Sequence, residues 1–251
     1  DSRDVSMMPF WIALQFLTIL PVQLDRMPTA EENARAVLFY PVVGLLLGGL
    51  LYALALLLVP VPTILTAVFI TLFWIGLTGG LHLDGLADTA DAWVGGFGDK
   101  TRTLEIMKDP ACGPIGVLSL IALVLVKLCC VYLLLMQSQT LFLIFVLALS
   151  RTVPILLFLS TPYVRKKGLG RDIAARIPRL YAYLISILIA LGGINWGLRG
   201  MLAVLVSITT VIFLRRCFIK RIDGITGDTI GASIEIVEAM LILSFVLLGY
   251  Y

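Results

Sequence analysis

Three aspartates with helical spacing stand directly after a long apolar run. They are Asp84, Asp88 and Asp91, in a chain of which only 14% of the residues are charged. At 100° per residue, their spacing places the three carboxylates within about 60° of one another on a helix. Like charges on one helical face repel, and oxygen ligands suit Mg²⁺, Mn²⁺ or Ca²⁺ better than zinc. The spacing therefore predicts a helix that carries a metal site beside an apolar segment.

A second charged segment follows at 104–109. Glu105, Lys108 and Asp109 lie at i, i+3 and i+4, and Pro110 comes next. One interpretation is an ordinary solvated helix end with a local Glu–Lys pair. The other is that the carboxylates complete a metal shell while Lys108 neutralises a phosphate. The sequence leaves both interpretations open.

The glycine-containing segment 224–229 precedes the last apolar run. Asp228 within it is either a helix N-cap, for which Asp is favoured, or part of a site where backbone N–H groups meet a phosphate. Glu235 lies seven residues further on and so shares a helical stripe with Asp228. A carboxylate this far into an apolar helix needs a partner, and the metal bound by the three aspartates is our candidate.

Three further polar residues are notable. His82, the one histidine of the chain, lies two residues before Asp84 and is either structural or a proton acceptor. Lys127 and Arg151 lie inside apolar runs, where a mid-span cation costs at least about 2.5 kcal/mol. Snorkelling or structural pairing explains either residue. For Arg151 the alternative is a phosphate or acidic ligand, which its forked, permanent charge suits.

These considerations define two sets of candidate site residues. The candidate metal ligands are Asp84, Asp88, Asp91, Glu105, Asp228 and Glu235. The candidate catalytic residues are His82, Asp84, Lys108, Asp109 and Arg151. Divalent ions beside Lys and Arg are typical of sites that bridge phosphate oxygens and offset transition-state charge. We therefore expect chemistry on a phosphorylated substrate.

The composition indicates the elements that position these residues. With 60% hydrophobic residues the chain is predicted to be all-α, a polytopic transmembrane helical bundle. Segment 10–20 is too short to span and is expected to be re-entrant or interfacial. Residues 1–6 precede two methionines and are interpreted as a cloning remnant, which leaves 7–251 as one integral-membrane catalytic domain. About seven spans are expected, at 36–59, 62–81, 115–136, 141–160, 180–194, 201–214 and 234–251.

The basic residues predict the orientation. With seven spans, the segments 21–35, 82–114, 161–179 and 215–233 emerge on one side and carry 15 of the 19 Lys and Arg residues. The positive-inside bias places that side in the cytoplasm, together with the acidic patches. The membrane therefore explains the net charge of +3 better than nucleic acid does.

Several of these motifs resemble the cobalamin synthase family. They are LDGLADTAD at 83–91, LEIMKD at 104–109, TGDTIGA at 226–232, FYPVVG at 39–44 and GLG at 168–170. Asp223 and Pro114 depart from the family pattern without affecting the acidic residues.

The resemblance implies a Mg²⁺-dependent enzyme of the cytoplasmic (inner) membrane, with Mn²⁺ as the alternative ion. It would join adenosylcobinamide-GDP to α-ribazole or its 5′-phosphate and release GMP. The partners it implies are these substrates and the lipid bilayer, without nucleic acid; an oligomeric assembly stays open.

Other classes fit the sequence less well. A CDP-alcohol phosphotransferase would carry Arg after Asp-Gly-x-x-Ala and an Asp-x-x-x-Asp downstream, whereas here Asp84-Gly85-Leu86-Ala87 runs into Asp88. A membrane prenyltransferase would have adjacent Asp pairs. A transporter would place its ionisable residues near the midplane and show related halves, and Arg151 alone keeps that alternative open.

Overall fold

The computed structural model describes residues 2–165 and 168–250, with side chains from residue 7 onward. Short 3₁₀ turns cover Val37–Phe39, Gly192–Trp196 and Leu248–Tyr250. The α-helices are α1 (Ser2–Leu17), α2 (Ala30–Ala36), α3 (Tyr40–Leu57), α4 (Thr63–Thr78), α5 (Leu81–Gly95), α6 (Lys100–Ile106), α7 (Pro114–Met136), α8 (Phe142–Ser150), α9 (Val153–Ser160), α10 (Leu169–Arg176), α11 (Arg179–Leu191), α12 (Gly197–Ile222) and α13 (Gly227–Leu247).

Long apolar helices make up most of the described chain, and they confirm an all-α, multi-pass membrane protein. The bent pair α4–α5 adds a sixth candidate span, of which α4 is the apolar part. The expected number of seven spans stays a prediction. The expected spans 180–194 and 201–214 fall within one 44-residue stretch. By length and composition, five helices of the described residues can cross a bilayer: Ala30–Leu57, Pro114–Met136, Phe142–Ser160, Arg179–Ile222 and Gly227–Tyr250.

The N-terminal segment forms a short apolar helix, Met7–Leu17, below the length of the spanning helices. This agrees with the expectation that segment 10–20 is too short to span the membrane. The helical backbone of α1 begins at Ser2 and so includes residues that we had set aside as a remnant. After α1, the N–H of Ile19 donates to the carbonyl of Leu77 (2.9 Å), which ties the segment to the end of α4.

Two adjacent glycines turn the chain sharply between α4 and α5. Gly79 (φ 61°) ends α4 and Gly80 (φ 70°) precedes α5, and both are left-handed, a conformation that glycine adopts without a steric penalty. The two helices meet at 86°. Because α5 turns away from the direction of α4 and carries three carboxylates, we place it outside the apolar spans.

Helix α13 lies at the centre of the bundle and packs against α5, α7, α8, α9 and α12. Its N-terminal half is rich in small residues, which allow backbones to approach closely. A Cβ on Gly85 of α5 would lie 2.8 Å from the carbonyl oxygen of Asp228, and one on Gly231 would lie 3.3 Å from the Cα of His82. Helices α5 and α13 therefore meet backbone to backbone.

Helix α3 packs closely on α8 through two glycines. A Cβ on Gly44 would overlap the backbone of Leu147, and one on Gly48 would overlap the Cα of Ile144. Gly49 on the same helix has open space at this position. Replacing Gly48 by Ala should therefore force α3 and α8 apart, at a cost of about 1–3 kcal/mol. The measurement is the thermal unfolding midpoint of the detergent-solubilised protein.

Gly49→Ala is the matched control, because it adds the same methyl group to the same helix without a clash. It should leave the midpoint unchanged or raise it, since Ala favours the helix. Equal losses in the two variants would contradict the packing argument.

Candidate functional site

A cavity of about 340 Å³ lies where α5, α10 and the start of α13 meet. Its polar lining includes His82 and Asp84 from α5, Asp228 from α13, and Tyr163 and Arg165 from the segment between α9 and α10. The rest of its lining is mainly apolar or glycine. The cavity thus brings two predicted carboxylates and the predicted histidine together with an arginine.

The helix predicted for the three aspartates is confirmed as α5. Burial raises the pKa of Asp88 to about 6, with further contributions from the negative charges of Asp84, Asp228 and Asp91. The carboxylates of α5 and the start of α13 therefore form one electrostatic cluster. We call Asp84, Asp88 and Asp228 the acidic cluster.

Asp91 has a different use in the structure. Its two carboxylate oxygens accept hydrogen bonds from the N–H groups of Gly113 (2.7 Å) and Gly116 (2.8 Å) at the start of α7. An anion at a helix N-terminus satisfies free N–H groups and is favoured by the helix dipole. Asp91 therefore joins α5 to α7, an arrangement that the helical spacing alone did not predict.

The start of α13 is capped by Thr226 rather than by Asp228. The Thr226 hydroxyl accepts from the Thr229 N–H (3.3 Å), and the Thr229 hydroxyl accepts from the Thr226 N–H (2.9 Å). Asp228 lines the cavity instead, and its carboxylate accepts hydrogen bonds from Arg165 at 2.6 Å and from the Thr226 hydroxyl at 3.4 Å.

A short backbone pairing delivers Arg165 to this position. The Val164 N–H donates to the carbonyl of Ile225, and the Ile225 N–H donates to the carbonyl of Pro162, both at 2.9 Å. This parallel bridge fixes the chain immediately before Arg165 against the chain immediately before Asp228. This pairing of the two backbones brings the side chains of Arg165 and Asp228 within ion-pair distance.

His82 is buried on α5, and its Nδ1 atom has no hydrogen-bond partner in the described structure. Burial lowers its pKa to about 3, and the charge of Arg151 adds to this effect. The imidazole is therefore neutral at physiological pH. The ring therefore forms a neutral part of the cavity wall.

The acidic cluster is not a complete protein cage for a metal. Among the described residues, no three His, Cys, Asp or Glu side chains stand close enough to hold an ion. Mg²⁺ usually binds through one or two carboxylates together with waters and substrate phosphates. One or two of the carboxylates of Asp84, Asp88 and Asp228 would therefore be enough for a Mg²⁺ that is shared with a phosphate-bearing substrate, and the ion stays a prediction.

Glu235 and Arg151 belong to a separate buried group within the spans. Lys127 donates to Glu235 and Glu238, each at 2.5 Å. Arg151 donates to Glu238 and to the Ser150 hydroxyl, while its Nε and Nη2 atoms have no partner in the described structure. We call Lys127, Arg151, Glu235 and Glu238 the buried quartet. None of its members lines the cavity, so the structural pairing that we considered for Lys127 and Arg151 is the observed arrangement.

The end of α6 and the residues that follow it do not line the cavity either. Glu105, Lys108 and Asp109 are exposed, and Asp109 accepts a hydrogen bond from the N–H of Ala111 (3.0 Å). The observed arrangement is that of a solvated helix end. The metal and phosphate roles predicted for these residues have no support in their positions.

Sequence reasoning missed two residues. Arg165 stands in a basic loop, where nothing in the spacing distinguishes it from its neighbours. Glu238 carried a readable signal, because a second carboxylate three residues after Glu235 in an apolar helix matches the two cations inside the spans.

Comparisons with known proteins return matches over nearly the whole chain. The family model described as cobalamin-5-phosphate synthase matches residues 9–246. A relative from Acinetobacter baumannii named adenosylcobinamide-GDP ribazoletransferase is 55% identical over 245 residues, which cover 98% of this chain and 99% of the relative. Relatives of the same name from Stutzerimonas stutzeri and Pseudomonas fluorescens are 46% and 44% identical; the matches cover 96% of this chain and 98% and 100% of those proteins. No solved structure matches the chain.

Replacing Asp88 by Asn should stabilise the metal-free protein at neutral pH. The raised pKa means that folding disfavours the ionised carboxyl. The penalty is absent well below the ordinary pKa of 3.8, grows towards pH 6 and is complete above it. Solvent screening limits the gain to about 1 kcal/mol. Thermal unfolding of both proteins from pH 4 to 8, with a chelator present, measures it.

Asp223→Asn is the control, because Asp223 is exposed and paired with Lys100. This variant should gain no stability above pH 6. A stability advantage of Asp88→Asn that is absent, or that shrinks as the pH rises, would contradict the acidic cluster.

The buried quartet predicts an order of stability losses. Glu238→Gln removes a charge that faces both Arg151 and Lys127, whereas Glu235→Gln leaves Lys127 with Glu238. Loss of one partner of a buried ion pair typically costs about 3–5 kcal/mol. We expect the larger loss for Glu238→Gln, measured as the unfolding midpoint in detergent. Equal losses, or the reverse order, would contradict the observed pairing.

Proposed function

Because the chain belongs to the cobalamin-5-phosphate synthase family, we propose that it transfers a cobinamide phosphate to α-ribazole or its 5′-phosphate and releases GMP from adenosylcobinamide-GDP. The observation that carries this proposal is the match to relatives named adenosylcobinamide-GDP ribazoletransferase, at up to 55% identity over nearly the full chain. The enzyme is thus a membrane-embedded transferase of cobalamin biosynthesis.

The cavity supports this reaction through the types of group that it combines. Carboxylates beside an arginine suit a pyrophosphate with a divalent ion, since the acids bind the ion and the guanidinium binds phosphate oxygens. Asp84, Asp88 and Asp228 are our candidates for the one or two carboxylates that bind the ion together with the phosphates. Mg²⁺, or Mn²⁺ in its place, would supply charge neutralisation on the phosphate oxygens and the leaving group.

The chemical step follows from the bonds exchanged. The ribose 3′-hydroxyl of ribazole forms a bond to the corrinoid-linked phosphorus, and the bond from that phosphorus to the oxygen of GMP breaks. The hydroxyl proton must leave during attack. A carboxylate of the acidic cluster is our candidate to receive it, because the pKa of Asp88 is raised to about 6, near the working pH. His82 is the alternative, and its lowered pKa makes it the weaker base.

The distribution of basic residues supports an active site on the cytoplasmic face of the cytoplasmic membrane. Fifteen of the 19 Lys and Arg residues lie in the four segments that the seven-span scheme places on one side. The acidic cluster and Arg165 belong to those segments.

Asp84→Asn should lower GMP release from adenosylcobinamide-GDP at least about 100-fold, as expected when a charge-stabilising group is lost from the site of reaction. The assay combines the purified protein in detergent with adenosylcobinamide-GDP, α-ribazole 5′-phosphate and Mg²⁺. The GMP released is quantified by chromatography. Wild-type release should depend on both the second substrate and the divalent ion.

Asp223→Asn is the matched control, an exposed Asp→Asn change at a left-handed position that Asn tolerates. It should retain wild-type turnover. Full activity of a folded Asp84→Asn protein would exclude the role of Asp84. No release by the wild type with any divalent ion would refute the proposed reaction.

A further inference from the structure

Two arginine–carboxylate pairs hold side chains of α13, and they differ sharply in exposure. The side chains of Arg151 and Glu238 are both 0% exposed. Those of Arg165 and Asp228 are 33% and 22% exposed. An ion pair that is removed from water does not separate readily, because each partner alone would be an uncompensated buried charge. A pair in contact with water contributes little net stability and exchanges readily.

Arg165 keeps most of its hydrogen-bonding capacity unused within the described structure. Its Nη2 donates to Asp228 at 2.6 Å, while its buried Nε has no partner. The residue lines the same cavity as Asp84 and His82. Arg165 therefore acts as a counter-ion of the acidic cluster.

We propose that Arg165 is a phosphate-binding residue. In the substrate-free protein it is paired with Asp228, and its side chain moves to the phosphate oxygens when a pyrophosphate substrate and its divalent ion enter the cavity. The identity of that substrate rests on the proposed function. The exchange itself rests on the ion pair and the cavity.

Charge and geometry both favour this exchange. A carboxylate held by a guanidinium is a poor ligand for a divalent cation, because the two cations repel at one site. The pyrophosphate brings new negative charge, and a guanidinium binds phosphate oxygens in a bidentate manner. The backbone pairing at Val164 and Ile225 fixes the main chain next to Arg165, so the side chain alone needs to move.

Opposite changes in two binding constants test the exchange. Arg165→Gln removes the competing cation, so the substrate-free protein should bind Mn²⁺ about threefold more tightly or better. The same variant should bind adenosylcobinamide-GDP with Mg²⁺ about tenfold more weakly, because a charged phosphate contact is lost. Mn²⁺ binding is followed by electron paramagnetic resonance, and nucleotide binding by calorimetry without the second substrate, so that no turnover occurs.

Two further variants and one further probe complete the design. Arg165→Lys keeps the charge without the fork, so it should retain wild-type Mn²⁺ affinity and lose part of the nucleotide affinity. Arg26→Gln removes an exposed arginine that pairs with Glu32 away from the cavity, and it should change neither constant. Inorganic pyrophosphate replaces the nucleotide as a probe that does not depend on the proposed reaction.

The outcomes separate the two proposals. If Arg165→Gln weakens Mn²⁺ and phosphate binding together, the residue is merely structural and the exchange is refuted. Unchanged affinities for both ligands refute it as well. Opposite shifts with Mn²⁺ and pyrophosphate in a wild-type protein that releases no GMP would support the exchange and refute the proposed reaction. GMP release by the wild type without opposite shifts would do the reverse.

Discussion

Neutralisation of buried charge on α13 is the constraint on which the rest of the structure depends. Glu235 and Glu238 lie within an apolar helix, where an unpaired carboxylate is costly. Lys127 from α7 and Arg151 from the end of α8 meet them, so three helices are joined at one point. Lys127 also lies 4.4 Å from the ring centre of Trp74 on α4. The four formal charges sum to zero, so the complete group is tolerated away from water. Loss of any one partner would leave an uncompensated buried charge.

This attachment sets the position of the N-terminal end of the same helix, which carries Asp228. Once the quartet fixes α13, the small residues of its first turns set how closely α5 approaches, with Gly231 against His82 and Asp228 against Gly85. Asp91 secures the far end of α5 on α7. Helices α5, α7 and α13 thus form a closed set of contacts around the acidic cluster. Carboxylates that repel one another are held together because their helices are fixed elsewhere.

The sequence could predict what depends on local spacing. The helix under Asp84, Asp88 and Asp91 follows from a period of 3.6 residues, and the all-α membrane fold follows from composition and run length. Contacts between residues that lie far apart along the chain could not be predicted from local spacing. Seven residues between Asp228 and Glu235 indicate a shared stripe but not what faces each part of it, and Glu235 pairs with Lys127, 108 positions away. Asp91 likewise meets Gly113 across 22 positions.

The cavity combines two kinds of surface, one apolar and one charged. Among the lining residues, Phe16 and Tyr40 stack with their ring centres 6.0 Å apart, and Phe158 adds a further aromatic ring. Apolar surface beside charged groups lowers the local dielectric constant and so strengthens electrostatic interactions at Asp84 and Asp228. Asp84 and Asp228 keep their contact with solvent at the helix ends, where ions and phosphates enter. The locked quartet inside the bundle and the exchangeable charges at its edge are therefore two parts of one arrangement along α13: the first provides rigidity, and the second remains able to change partners.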